Sequence, residues 1–176
     1  MLVLLAEGFE EIELVTPVDL MRRAGIEVTI ASLGWNREVT GRNGMVLKAD
    51  KTLTAVGRQA FDCLYLPGGP GVTRMRADPR VAEIVRQQAA DGGWIAAICA
   101  APTVLADAGL LQGRAYTAHF SVAEELKQIK ADQRTVEDGR ILTSRGAGTA
   151  FEFGLLIIEK LQSKTKKDEV SASVCL

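Results

Sequence analysis

The sequence reads as an α/β protein whose parallel sheet is covered by helices on both faces. Three observations lead there. Short apolar runs alternate with longer amphipathic stretches along the chain. The runs are apolar at every position, not every second one, as in strands buried on both sides. Glycines and helix-start residues sit at the joints between them.

Leu2–Leu5 is the first strand. The stretch 10–24 has a helical pattern, with Ile12, Leu14, Val15, Val18, Leu20 and Met21 apolar. Pro17 interrupts it, so the helix either kinks there or starts there with Thr16 as N-cap and Asp19 closing a capping box. Gly25 ends the helix and 27–31 is the next strand. Residues 33–50 are polar, with a short strand at 45–47. The run 62–66 is a buried strand closed by Pro67-Gly68-Gly69-Pro70-Gly71. Asp78-Pro79 opens a helix as N-cap and first helical residue, with Val81, Ile84 and Val85 as its stripe. Gly92-Gly93 stops it. Trp94–Ile98 is a continuous apolar strand, and a helix begins at Cys99. The runs 115–118 and 140–143 are further strands. Thr149 and Glu152 form a capping box before a helix at 151–161. From about Ser163 the chain turns polar, and 163–176 is a terminal helix or tail.

The 176 residues are expected to form a single domain, 1–176. With 21 basic and 22 acidic residues the net charge is −1, without the basic excess of a nucleic-acid binder. The lysines at 164, 166 and 167 read as a solvated tail. No run reaches the roughly 18 apolar residues of a membrane span, and the opening lacks the basic segment of a signal peptide. Cys63, Cys99 and Cys175 are odd in number and widely spaced, which is neither a disulfide framework nor a metal pair and points to cytoplasm. With His119 alone, a His-rich metal site is excluded.

Ligands of open α/β sheets sit beyond the carboxyl ends of the strands. Four loops leave such ends: Glu7–Glu13, Pro67-Gly68-Gly69, Cys99 itself, and Ser144–Gly148. Cys99 has the layout of a nucleophile elbow, with Ala96, Ala97, Ala100 and Ala101 leaving room for a tight, strained turn. The dipole of the following helix is expected to lower the thiol pKa. An inert buried cysteine fits the position equally well. The Gly68-Gly69 turn and the Ala100 N–H offer an oxyanion hole, or only a plain glycine turn. Glu7, Glu10 and Glu11 read as solvated carboxylates. Glu13 is a surface residue or faces inward, in which case burial beside a thiolate would keep it protonated. His119, ending the 115–118 strand, is a base, an orienter or a structural residue.

Taken together, Glu10-Glu11-Ile12-Glu13 with Pro17-Val18-Asp19 and Met21–Gly25, Leu66-Pro67-Gly68-Gly69, Ala96-Ala97-Ile98-Cys99-Ala100, and Leu142–Gly146 with Gly148-Thr149 and Phe151-Glu152-Phe153 resemble the ThiJ/PfpI superfamily and, within it, the DJ-one branch. The match spans about residues 1–162. The resemblance implies a flavodoxin-like three-layer sandwich, usually a homodimer, with Cys99 as the reactive cysteine. It implies Glu13 as a protonated carboxylate bonded to the sulfur, Gly69 and Ala100 as backbone donors, and His119 near the cysteine. Arg145, with Gly146 and Gly68, lies close to the site. Ala147 and Phe120 stand where relatives often have proline. Asn43 falls where many relatives carry an anion-binding arginine, leaving that anion site without its arginine.

The resemblance also implies cofactor-independent glyoxalase or deglycase chemistry on methylglyoxal or its adducts, oxidative-stress protection, or a redox-sensor and chaperone role through a cysteine sulfinate. A Cys–His protease is disfavoured because Ala100 follows the cysteine where those enzymes carry histidine. A glutamine amidotransferase is disfavoured because Phe120-Ser121 follows His119. A flavin protein is disfavoured because the loop after the first strand is no phosphate loop.

Overall fold

A computed structural model describes residues 1–57 and 59–176. Its strands are β1 (Leu2–Leu5), β2 (Thr29–Ser32), β3 (Glu38–Thr40), β4 (Val46–Lys48), β5 (Lys51–Thr52), β6 (Cys63–Leu66), β7 (Trp94–Ile98), β8 (Thr135–Asp138) and β9 (Ile141–Ser144). Its helices are α1 (Glu11–Arg23), α2 (Leu53–Val56), α3 (Val72–Ala77), α4 (Pro79–Ala90), α5 (Pro102–Asp107), α6 (Ala150–Leu161) and α7 (Lys164–Ser173). Seven strands form one sheet in the order β5-β2-β1-β6-β7-β9-β8, parallel except for the β8–β9 pair. β3 and β4 form a separate hairpin.

The continuous apolar runs are explained by two cores. Val3, Leu5, Tyr65, Ala96, Ile98 and Leu142 point to one face, under α1 and α6. Leu2, Leu4, Leu64, Leu66, Ile95 and Ala97 point to the other, under α3, α4 and α5. Successive side chains alternate between faces, so a strand covered on both sides needs apolar residues at every position. This is the flavodoxin-like α/β sandwich expected. Because β1, β6, β7 and β9 are parallel neighbours, their carboxyl ends line one sheet edge.

Several local expectations are corrected. Of the two readings of α1, the start at Pro17 falls and the helix through the proline holds, from Glu11 to Arg23. β2 starts two residues later and ends one residue later than 27–31, and the 45–47 strand is displaced to Val46–Lys48 with an unforeseen partner, β3. Residues 115–118 form no strand and hold one isolated bridge, Tyr116 to Ile129. Their N–H groups are taken by side chains: Ala115 N–H by Asp138 at 2.8 Å and Thr117 N–H by Thr143 Oγ1 at 2.9 Å. The Thr149 capping box does not form, because Thr149 Oγ1 bonds Ser144 and Gly146 instead, and Glu152 pairs with Arg134. Of a terminal helix or a tail, the C-terminus takes the helix, α7; its lysines are not simply solvated, since Lys166 and Lys167 pair with Glu169 and Glu159.

Candidate active site

Cys99 follows the last residue of β7 and has φ 66, a left-handed backbone that costs a non-glycine residue about 1–2 kcal/mol. The strain is held by flanking bonds. Cys99 N–H donates to the Ser144 carbonyl at 2.9 Å, and its own carbonyl accepts the His119 N–H at 2.8 Å. This is the strained elbow that the small neighbours predict. α5, however, begins only at Pro102 and spans six residues, which weakens the dipole argument.

Glu13 lies in the first turns of α1 and is 1% exposed. Its Oε2 accepts the Gly68 N–H at 3.0 Å, its carboxyl hydrogen-bonds to Cys99, and the Ala147 N–H also bears on it. Gly68 is required by this close approach: a Cβ there would stand 2.5 Å from Cys99 Cβ and against Glu13 Oε2. Gly69, at φ 89, turns the chain so that its N–H, with that of Ala100, serves the Cys99 sulfur.

The helix carrying Glu13 is anchored through its proline. Pro17 has no N–H for the Glu13 carbonyl four residues earlier, which would leave that buried carbonyl unpaired at a cost of about 1–2 kcal/mol. The buried Tyr65 hydroxyl fills it by donating to that carbonyl. Tyr65 sits on β6, two residues before Pro67-Gly68. One strand therefore fixes both the backbone and the carboxyl of Glu13.

Burial raises Glu13 to about 7, with the Glu10 charge adding to it. Burial, then the Glu13 carboxylate, pushes the Cys99 thiol up to about 12. The expected lowering of the thiol is thus reversed, because desolvation outweighs the donors of Gly69 and Ala100. Between these two points the pair holds one proton.

Neighbouring groups also depart from the expected solvated cluster. Glu10 and Glu11 are 8% and 5% exposed. Glu10 pairs with Arg42 at 3.2 Å. Glu11 accepts the Asn43 N–H at 2.8 Å and its side-chain amide at 3.0 Å, so Asn43 is spent on holding the hairpin to α1. Glu7 stays exposed and caps Thr40 N–H. His119 is half-buried, and burial with Arg42 and Arg145 holds it below its usual pKa. Gly146 lies between His119 and Glu13: a Cβ there would stand 3.4 Å from His119 Cδ2 and 3.6 Å from Glu13 Oε1. Arg145 is exposed beside them and reaches the site through its charge on His119. The structure so brings Cys99, Glu13, Gly68, Gly69, Ala100, His119 and Gly146 together. Sequence reasoning missed Tyr65, although a proline four residues after Glu13 was a signal that a carbonyl would need a donor.

Fold and site define a class: α/β sandwiches with a strained cysteine elbow facing a buried carboxylic acid. The chain belongs to the DJ-1/PfpI family, whose model matches residues 1–160. It is 42% identical over 174 residues to Protein dj-1beta of Drosophila melanogaster, covering 97% of this chain and 93% of that protein. It is 35% identical over 173 residues to the glutathione-independent glyoxalase DJR-1.2 of Caenorhabditis elegans, covering 97% and 92%. The structure of Toxoplasma gondii DJ-1, oxidized, is similar with TM-score 0.93 and 37% identity, over 98% of this chain and 96% of that one.

Proposed function

We propose that this protein is a cofactor-independent glyoxalase or deglycase in which Cys99 attacks small reactive carbonyls. The observation that carries the reading is the Cys99–Glu13 pair: a thiol on a strained elbow, hydrogen-bonded to a buried carboxyl and served by the Gly69 and Ala100 N–H groups. Similarity to the worm protein named a glyoxalase supports it.

Glu13 accepts the thiol proton as the sulfur bonds to the aldehyde carbon of methylglyoxal. The carbonyl electron pair moves to oxygen, which the Gly69 and Ala100 N–H groups receive. Glu13 gives that proton to the oxygen, completing the hemithioacetal, and, ionised again, carries the C1 proton to C2 while the hydroxyl proton passes from the C1 oxygen to the C2 oxygen, giving a thioester. Water cleaves that thioester to lactate and the free thiol. With a glycated amine, a hemiaminal, as substrate, the sulfur bonds to C1 as the C–N bond breaks, the amine leaves with the proton that Glu13 took from the thiol, and the steps from the hemithioacetal onward are the same. Cys99→Ala is expected to abolish methylglyoxal consumption; unchanged consumption by that variant would sink the reading.

A redox-sensor role shares the same residues. Two equivalents of peroxide, each releasing water, would convert the Cys99 thiolate to a sulfinate. A protonated Glu13 and the same two amides would hold its oxygens, and partners or chaperone clients would read the change. The oxidized relative favours this second reading. Intact mass after peroxide should gain two oxygens, lost in Cys99→Ser; oxidation confined to Cys63 or Cys175 would count against it.

The protein is further inferred to pair with a second copy. Ile12 and Val15 on α1 are 51% and 46% exposed, and Met45 and Val46 of the hairpin are 63% and 62% exposed. The Glu11–Asn43 bonds hold these segments side by side. Ile12→Arg should halve the mass seen in sedimentation. Three unpaired cysteines fit a reducing, cytoplasmic setting. Among the described residues, no helix is long and apolar enough to cross a membrane.

A further inference from the structure

His119 is the single histidine of the chain, and its ring is held on one side by a turn of its own backbone. The Ser121 backbone N–H points at Nδ1 from 3.2 Å, and Ser121 Oγ lies 2.9 Å from the same atom. A backbone N–H can only donate, so Nδ1 carries a lone pair. In a neutral imidazole the proton is then on Nε2. The Phe120 ring lies beside the imidazole, with centroids 4.1 Å apart and the two planes tilted by 34°.

The other ring edge faces the site. Cδ2, which is bonded to Nε2, and Glu13 Oε1 both border the space that a Gly146 side chain would fill. The charged and titratable groups around the ring come from four elements. Arg42 of the β3–β4 turn and Arg145 of the loop after β9 both oppose an imidazolium. Arg42 is paired with Glu10 at the start of α1, where Glu13 also lies. Cys99 meets the His119 backbone through its carbonyl.

We propose that the 119–121 turn locks His119 as its Nε2–H tautomer, so that His119 gives the cleft a fixed hydrogen-bond donor for the oxygen of a carbonyl adduct and is not the base of the reaction. Glu13 is then left as the proton acceptor. The identity of the oxygen rests on the carbonyl chemistry proposed above; the tautomer rests on the bonds to Nδ1 alone. Ser121, through its N–H, is a positioning residue.

With one histidine, a two-bond proton–nitrogen NMR spectrum of the resting protein reports this ring without assignment. At neutral pH it should show a lone-pair Nδ1 and a protonated Nε2. Ser121→Ala, which keeps the amide, should leave that pattern in place, and Ser121→Pro, which removes it, should bring in the other tautomer. A wild-type spectrum with Nδ1 protonated, or one unmoved by Ser121→Pro, overturns the proposal, and the wild-type spectrum decides even if the proline variant does not fold. In turnover, His119→Gln keeps a donor but no base. It should retain kcat within about tenfold, whereas His119→Leu should lose roughly a hundredfold. Equal losses in the two variants would make His119 the base and overturn the assignment. Absence of wild-type turnover would instead be the failure of the carbonyl chemistry, with the spectrum still deciding the tautomer.

Discussion

Cys63 and Cys99 stand at opposite edges of the same sheet, one opening β6 and the other following β7. Burial pushes both thiols up to about 12. Yet Cys63 lies in an apolar core with the Leu64 carbonyl at 3.7 Å, where the Met1 ammonium and Asp62 act on it through their charge, whereas Cys99 hydrogen-bonds to a carboxyl and two amides on a strained backbone. A depressed pKa is therefore not what separates them. The difference is a neighbour able to accept the proton at the moment of attack, and parallel strands put such neighbours at their carboxyl ends.

The sharpest break of this comparison is Glu13→Gln, which removes the acceptor and leaves the thiol in place. Turnover and the rate of Cys99 alkylation at pH 7.5 should fall about a hundredfold or more, bringing Cys99 close to Cys63. An alkylation rate unchanged in that variant would mean that Glu13 does not activate the sulfur. In the wild type, the alkylation rate should rise as pH climbs through about 7, where Glu13 ionises.

The same group has a stability signature of known sign. Glu13 binds its proton more tightly when folded, so ionisation of the unfolded chain above pH 4.5 lowers stability progressively until about pH 7. Glu13→Gln should lack that loss and melt higher than wild type at pH 8, by an effect on the order of a few kcal/mol. Gly68→Ala should cost roughly 1–3 kcal/mol in denaturant titration and lower turnover, because the new methyl forces Cys99 and Glu13 apart. Tyr65→Phe comes next, at about 1–2 kcal/mol, by leaving the Glu13 carbonyl without its donor. Cys63→Ala should be the mildest, with turnover unchanged within about twofold although the core loses a sulfur.

Much of the fold was legible because the central strands are apolar throughout, and Leu2–Leu5, 62–66 and Trp94–Ile98 could hardly be read otherwise. β3 and β8 were not legible: they are short edge strands with exposed, polar residues and no apolar run. The 115–118 segment misled because it is buried like a strand while bonding to side chains. In the site, Cys99 was readable from the small residues around its turn. The burial of Glu10 and Glu11 was not, and that of Glu13 came only with the family resemblance, since it depends on the hairpin and the β6 loop closing over α1, contacts far apart in sequence. The direction of the thiol shift was misjudged because a dipole is local and visible in sequence, whereas desolvation belongs to the assembled fold.

The Pro17–Tyr65 arrangement has a consequence for how the reactive thiol comes into being during folding. The first half of α1 cannot close its own hydrogen-bond ladder; the last bond arrives from β6. Glu13 is therefore set beside Cys99 only after helix and strand have docked, and a chain caught midway carries an ordinary, unassisted cysteine. Pulse alkylation during refolding would then time the birth of the site, with fast labelling of Cys99 appearing together with protection of the sheet and not with helix formation.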